Sequence, residues 1–112
     1  MKITDAKTTP NSPNPHEVDT KLIYDTEHAQ VVYMTLKPWE SIKKHVTPVD
    51  VFFYVLEGSP TIEIGDENVQ VGPDNMVDSP ARIPHRIHNR TGETVRLLVG
   101  KVPRQKEPTK IL

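Results

Sequence analysis

Proline punctuates this chain more tightly than any other residue type could. Eleven prolines stand against five glycines in 112 residues, inverting the ordinary balance of roughly 5% proline to about 7% glycine. Each proline locks φ and removes a backbone donor, so it ends strands, makes turns and damages helix interiors. No stretch of about ten residues keeps a helical period of apolar positions, and a helical bundle is therefore excluded. From Lys21 onward, short apolar and β-branched runs alternate with proline and glycine turns: Lys21–Asp25, His28–Leu36, Ser41–His45, Asp50–Glu57, Thr61–Ile64, Asn68–Val71, Met76–Ser79, His85–Asn89 and Thr94–Lys101. This spacing predicts an all-β sandwich or barrel. Thr61–Ile64 and Asn68–Val71 should form a hairpin over Gly65-Asp66-Glu67. His85–Asn89 should pair with Thr94–Lys101 across Arg90-Thr91-Gly92-Glu93.

One domain accounts for the length. Residues 1–19, with Pro10, Pro13 and Pro15 among asparagines and serine, read as an extended arm, residues 20–103 as the barrel, and 104–112 as a charged tail. The formal charge of −1, from 14 basic and 15 acidic residues, gives no electrostatic reason to bind nucleic acid or an anionic membrane. Aromatic residues are too sparse, at 5%, for a base-stacking surface. The absence of cysteine excludes disulfides, thiolate zinc sites, iron–sulfur ligation and cysteine nucleophiles. No run approaches the ~20 apolar residues of a membrane span, and the first twenty residues lack the apolar core of a secretory signal. The expectation is a cytoplasmic protein.

The strand over Asp50–Leu56 is apolar on both faces. Val51, Phe53 and Val55 alternate with Phe52, Tyr54 and Leu56, so both faces need cover. One face fits a barrel interior. The other predicts a homodimer with this strand near the interface, or a strand central to a two-sheet sandwich within one chain.

Two of the five histidines stand at strand ends. His45 precedes Pro48, and His85 follows Pro84 directly. Side chains so placed can converge in one cavity and share a metal, although two imidazoles are fewer than the three or four ligands most sites need. The simpler reading is a buried hydrogen-bonded pair without metal. His88, three residues beyond His85, falls on the opposite face of its strand. His16 and His28 are given no role.

With these residues in place, Lys37–Val102 resembles a single-domain cupin, a jelly-roll barrel or double-stranded β-helix. The first cupin motif (Gly, five residues, His-x-His, three or four residues, Glu, six residues, Gly) aligns with Trp39, His45, Thr47, Val51 and Gly58. The second (Gly, five residues, Pro-x-Gly, two residues, His, three residues, Asn) aligns with Asp74, Pro80, Arg82, His85 and Asn89. The resemblance implies a metal site at His45, Thr47, Val51 and His85, of which only the two histidines are retained. Threonine is a weak substitute for imidazole, and valine coordinates nothing. Asp50, through a local register shift, and Asp78 are the candidates for a replacement carboxylate, and each is also explained by hydrogen bonding at a strand end. Thr47 is explained more simply by a turn in which its hydroxyl bonds backbone groups. Three motif glycines are replaced, by Trp39, Asp74 and Arg82.

Three functional readings stay open. The barrel cavity could bind a small molecule together with a divalent metal (Fe, Mn, Ni, Cu or Zn) on His45 and His85; in its catalytic form the resemblance implies oxygenase or isomerase chemistry. It could bind a small molecule without metal, in a pocket of Thr47, Val51, Phe53, Val55 and Met76 with the two histidines. Or the protein could be a structural or regulatory dimer.

Overall fold

Alternation of burial along the strands sorts them into two facing layers. In the computed structural model, which describes residues 1–112, there are ten strands: β1 (Asp19–Asp25), β2 (Gln30–Leu36), β3 (His45–Val46), β4 (Val51–Glu57), β5 (Thr61–Ile64), β6 (Glu67–Gln70), β7 (Met76–Ser79), β8 (His85–His88), β9 (Val95–Lys101) and β10 (Lys110–Ile111). They form two five-stranded sheets, ordered β1-β2-β9-β4-β7 and β10-β3-β8-β5-β6. Every pairing is antiparallel. This is an all-β jelly-roll barrel with no helix, and so with no helix able to cross a membrane.

In β4, Val51, Phe53 and Val55 are buried while Phe52, Tyr54 and Leu56 are half-buried on the outer face. In β9, Val95, Leu97 and Val99 point inward by the same two-residue period. Of these, Val51, Phe53, Val95, Leu97 and Val99 meet Ile62 and Ile87 from the second sheet in one core. Removing such side chains from water stabilises the barrel by about 1.5–3 kcal/mol each.

Two expected connections are corrected. His85–Asn89 does not pair with Thr94–Lys101. β8 lies between β3 and β5 in one sheet, and β9 between β2 and β4 in the other. The intervening loop crosses the barrel because Asn89 holds it as a corner. Its side-chain amide donates to the carbonyls of Leu36, Lys37 and Glu93, and its Oδ1 accepts from the Thr91 amide. The tail is also more than a charged extension, since its strand β10 pairs with β3. The hairpin of β5 and β6 turns over Gly65 and Asp66 alone, with Gly65 at φ +57°.

The arm is folded back rather than free. Ser12 N–H donates to the Thr20 carbonyl, and Asn11 Oδ1 accepts from the Thr20 amide. The Asn14 amide donates to the carbonyls of Ser12 and Val18 and to Thr20 Oγ1. Asparagine and serine make these local bonds readily, which places residues 12–16 across one mouth of the barrel.

The three substituted motif glycines keep the glycine backbone. Trp39, Asp74 and Arg82 have φ of 68°, 68° and 67°, beside Gly58 at 84°. All three side chains are exposed, whereas a Cβ at Gly58 would stand 2.5 Å from the Thr94 carbonyl oxygen. Glycine is thus replaced where its Cβ would meet solvent and retained where it would meet backbone.

Candidate functional site

β3 and β8 lie side by side with His45 directly opposite His85. Both side chains are buried and enter a cavity of about 270 Å³ between the two sheets. Their Nε2 atoms are 2.8 Å apart, and the rings meet edge-on at 4.3 Å between centroids. Phe53 packs its ring edge-on against His85 at 5.3 Å.

The hydrogen-bond partners decide where the protons sit. His45 Nδ1 is 2.7 Å from the Lys43 carbonyl oxygen, which only accepts, so this nitrogen carries hydrogen. Neutral His45 then presents a lone pair at Nε2, and His85 Nε2–H must donate to it. His85 Nδ1 is left as an acceptor, and Ser79 Oγ–H donates to it at 2.6 Å. Thr47 Oγ1, at 3.3 Å from His85 Nε2, shares that donor weakly. The result is a one-directional chain from Ser79 through His85 and His45 to the Lys43 carbonyl.

A third imidazole comes from the arm. His16 Nδ1 accepts from the Lys43 amide at 3.0 Å, and its ring tilts against that of His45 with centroids 4.7 Å apart. Burial, followed by the nearby charges, holds all three histidines neutral. His16 is lowered to about 4 by desolvation, then by His45, Lys43 and Lys101. His85 is lowered to about 3 by desolvation, then by His45, Lys101 and His16. His45 is lowered chiefly by desolvation, against the raising effect of its bond to Lys43.

The proposed pocket residues divide. Thr47, Val51 and Phe53 line the cavity. Val55 is fully buried but outside the lining. Met76 is corrected outright: it is 58% exposed, and it stands opposite Tyr54 on the outer face, because the inward phase of β7 belongs to Val77 and Ser79. Thr47 bonds His85 rather than the backbone of a turn. His88 lies on the face of β8 opposite His85, as expected, but it is buried there, bonding Glu63 Oε1 at 2.8 Å.

Neither replacement carboxylate reaches the histidines. Asp50 Oδ1 accepts from the Ala81 amide at 2.8 Å, and the one irregularity between β4 and β9 lies between Val55 and Glu57, at the far end of the strand from Asp50. Asp78 is exposed opposite Phe52. No three His, Cys, Asp or Glu side chains come together in a way that could hold a metal. At the motif positions the donors are two imidazoles and a hydroxyl; the third imidazole, His16, has its Nδ1 taken by the Lys43 amide, and no carboxylate joins them to complete the three or four ligands a transition metal takes. This donor set does not fit the metal that the family resemblance implies.

Sequence reasoning missed three members of the site. Ser79 shares the phase of Val77, and Lys101 shares that of Val95, Leu97 and Val99, so the two-residue period already marked both as inward. His16 carried no local signal, since only the folding of the arm brings it to His45.

Comparison with known proteins places this geometry in context. A family model described as Cupin domain matches residues 32–100. No curated protein sequence matches the chain significantly. Among solved structures, the TT1209 protein of Thermus thermophilus is similar at 28% identity and a TM-score of 0.79, over 93% of this chain and 99% of that one. The polyketide cyclase RemF of Streptomyces resistomycificus shares the fold at 22% identity and a TM-score of 0.86, over 100% and 85%. So does an RmlC-like cupin with a double-stranded β-helix from Methanocaldococcus jannaschii, at 21% and 0.78, over 92% and 91%.

Proposed function

The chain belongs to the cupin domain family, and from that premise we propose that its barrel cavity binds a small organic molecule without a resident metal. The observation that carries this reading is the cavity itself. Apolar side chains such as Val32, Met34, Phe53 and Val99 give it an apolar wall, and polar groups including His45, His85, Thr47, His16 and Lys101 converge on it. An apolar pocket with a few convergent polar groups is the common form of a small-molecule site, and 270 Å³ lies near the lower end of the roughly 300–1,000 Å³ such sites span.

The histidine chain supplies directional recognition. A ligand hydroxyl can donate to the His45 Nε2 lone pair, and a ligand carbonyl can accept from His85 Nε2–H, each competing with the bond between the rings. The metal-dependent oxygenase or isomerase reading has less support, because Val51 stands where a cupin carboxylate would be.

The test is an NMR titration of the full ¹⁵N-labelled chain with a library of small organic molecules, alongside elemental analysis of untagged protein. Shifts should cluster at Thr47, Val51, Phe53 and His85 and vanish in Val32→Phe, which fills the cavity. Shifts scattered over the outer faces would overturn the reading. So would stoichiometric Fe, Mn, Ni, Cu or Zn that is lost in His45→Ala.

A further inference from the structure

One charged side chain enters this cavity without a partner. Register places Lys101 opposite Gln30 on one side and Val51 on the other, with Ser79 beyond Val51. These four residues form one inward row across β2, β9, β4 and β7, and Gln30, Lys101 and Val51 line the cavity. Val51 occupies the cupin carboxylate position. Here, therefore, the row that would carry a negative ligand to a metal carries a lysine amine instead.

No acid balances that charge. The cavity lining contains no aspartate or glutamate, and the chain's ion pairs involve His28, His88, Arg90, Arg96 and Arg104 but not Lys101. A half-buried ammonium with no counter-charge is costly. Desolvation lowers its proton affinity, with no carboxylate acting in the opposite direction. A cation poised in this way, close enough to affect His16, His45 and His85, repels a divalent metal and attracts an anion. His16 strengthens the attraction. Its Nδ1 accepts from Lys43, so its neutral ring carries hydrogen on Nε2 and remains a donor.

We propose that Lys101 selects a small organic carboxylate, whose charged head pairs with the ammonium while an apolar tail lies against Val32, Met34 and Val99. This rests on the cavity-binding reading above and adds the chemical class of the ligand.

The experiment compares matched acids and amides, benzoate with benzamide and hexanoate with hexanamide, by NMR titration of the full chain at pH 7.5. Each acid should bind wild type at least about tenfold more tightly than its amide, since one favourable charge contact in a desolvated site commonly exceeds the 1.4 kcal/mol that a factor of ten represents. Lys101→Met should abolish the preference, bringing the acid-to-amide affinity ratio close to one, while Lys101→Arg should keep it. Lys101→Gln serves where the methionine variant does not fold. Equal affinities for acid and amide in wild type, or an acid preference that survives Lys101→Met, would overturn the assignment while leaving the cavity reading intact. Binding of none of the four probes would count against both.

Discussion

His85 Nε2 donates to His45 Nε2 across 2.8 Å, and the direction of that bond is imposed from outside the pair by the Lys43 carbonyl at one end and the Ser79 hydroxyl at the other. Both rings must be neutral for the chain to run. Protonating His45 Nε2 would place two donors face to face, and protonating His85 at Nδ1 would remove the acceptor that Ser79 uses, in either case near the Lys101 ammonium.

Stability should therefore fall in mild acid. His16 and His85 have folded pKa values of about 4 and about 3, below the ordinary imidazole value of 6.5, and that of His45 is lowered as well. A depressed folded pKa means that the unfolded chain takes up protons first. The stabilisation is complete above about pH 6.5 and is lost progressively as pH falls toward 4 and then 3. Each histidine contributes at most about 1.4 kcal/mol per pH unit in that window, less for His16, which is only half-buried. The groups facing His85 are His45, Thr47, Ser79 and Phe53, with His16 and Lys101 nearby. Thermal melts followed by circular dichroism from pH 7.5 to 4 should show a steep fall in Tm, flattened in His85→Gln. A flat wild-type profile would show that the histidines are not held neutral.

Ser79→Ala should remove the donor to His85 Nδ1 and leave that buried nitrogen unsatisfied. The expected loss is about 1–3 kcal/mol, read as a lower urea midpoint at unchanged m-value. The imidazole ¹⁵N shifts of His85 should move as well, because Ser79 holds its tautomer. If neither the midpoint nor the shifts change, Ser79 does not orient the pair.

The four left-handed motif positions should respond in opposite directions. Arg82→Gly and Trp39→Gly relieve a positive φ that costs an L-residue roughly 1–2 kcal/mol, offset by about 0.4–1 kcal/mol of added chain entropy in the unfolded state. A gain of up to about 1 kcal/mol each is expected. Gly58→Ala has both the positive φ and the Thr94 carbonyl against it, and should lose more than about 2 kcal/mol. Chemical denaturation measures all three, and a stable Gly58→Ala protein would contradict the packing argument.

The homodimer remains a proposal, and its surface can now be named. Register aligns Tyr33, Leu98, Tyr54 and Met76 in one row across β2, β9, β4 and β7 on the outer face. We propose that a second copy covers this row, continuous with the outer side of Phe52. Sedimentation equilibrium should give twice the 12.7 kDa chain mass for wild type and the single-chain mass for Leu98→Lys. A monomeric wild type at micromolar concentration would end the proposal.

The cupin motifs were legible because they are local. Proline, histidine and asparagine keep their offsets, and Pro84 presents His85 at the start of its strand. The alternation of Val51, Phe53 and Val55 against Phe52, Tyr54 and Leu56 was equally readable, since a strand's two-residue period requires no partner to be seen. The same period misassigned Met76, because a four-residue strand reads equally well in either phase until its neighbour is known. The pairing of β8 with β9 was misread because proximity along the chain favours a hairpin, whereas Asn89 bonds three carbonyls and sends the chain to the opposite sheet.

By itself, then, the sequence determined an all-β barrel of short strands, the two histidines at its heart and the loss of the usual metal ligands. These follow from backbone chemistry and residue identity at fixed spacing. Only the tertiary structure decided the direction of the histidine chain, the closing of the arm that brings His16 to His45, and the unpaired charge of Lys101 beside Val51. Each depends on groups far apart in sequence, whose protonation and solvation are set by what packing places next to them.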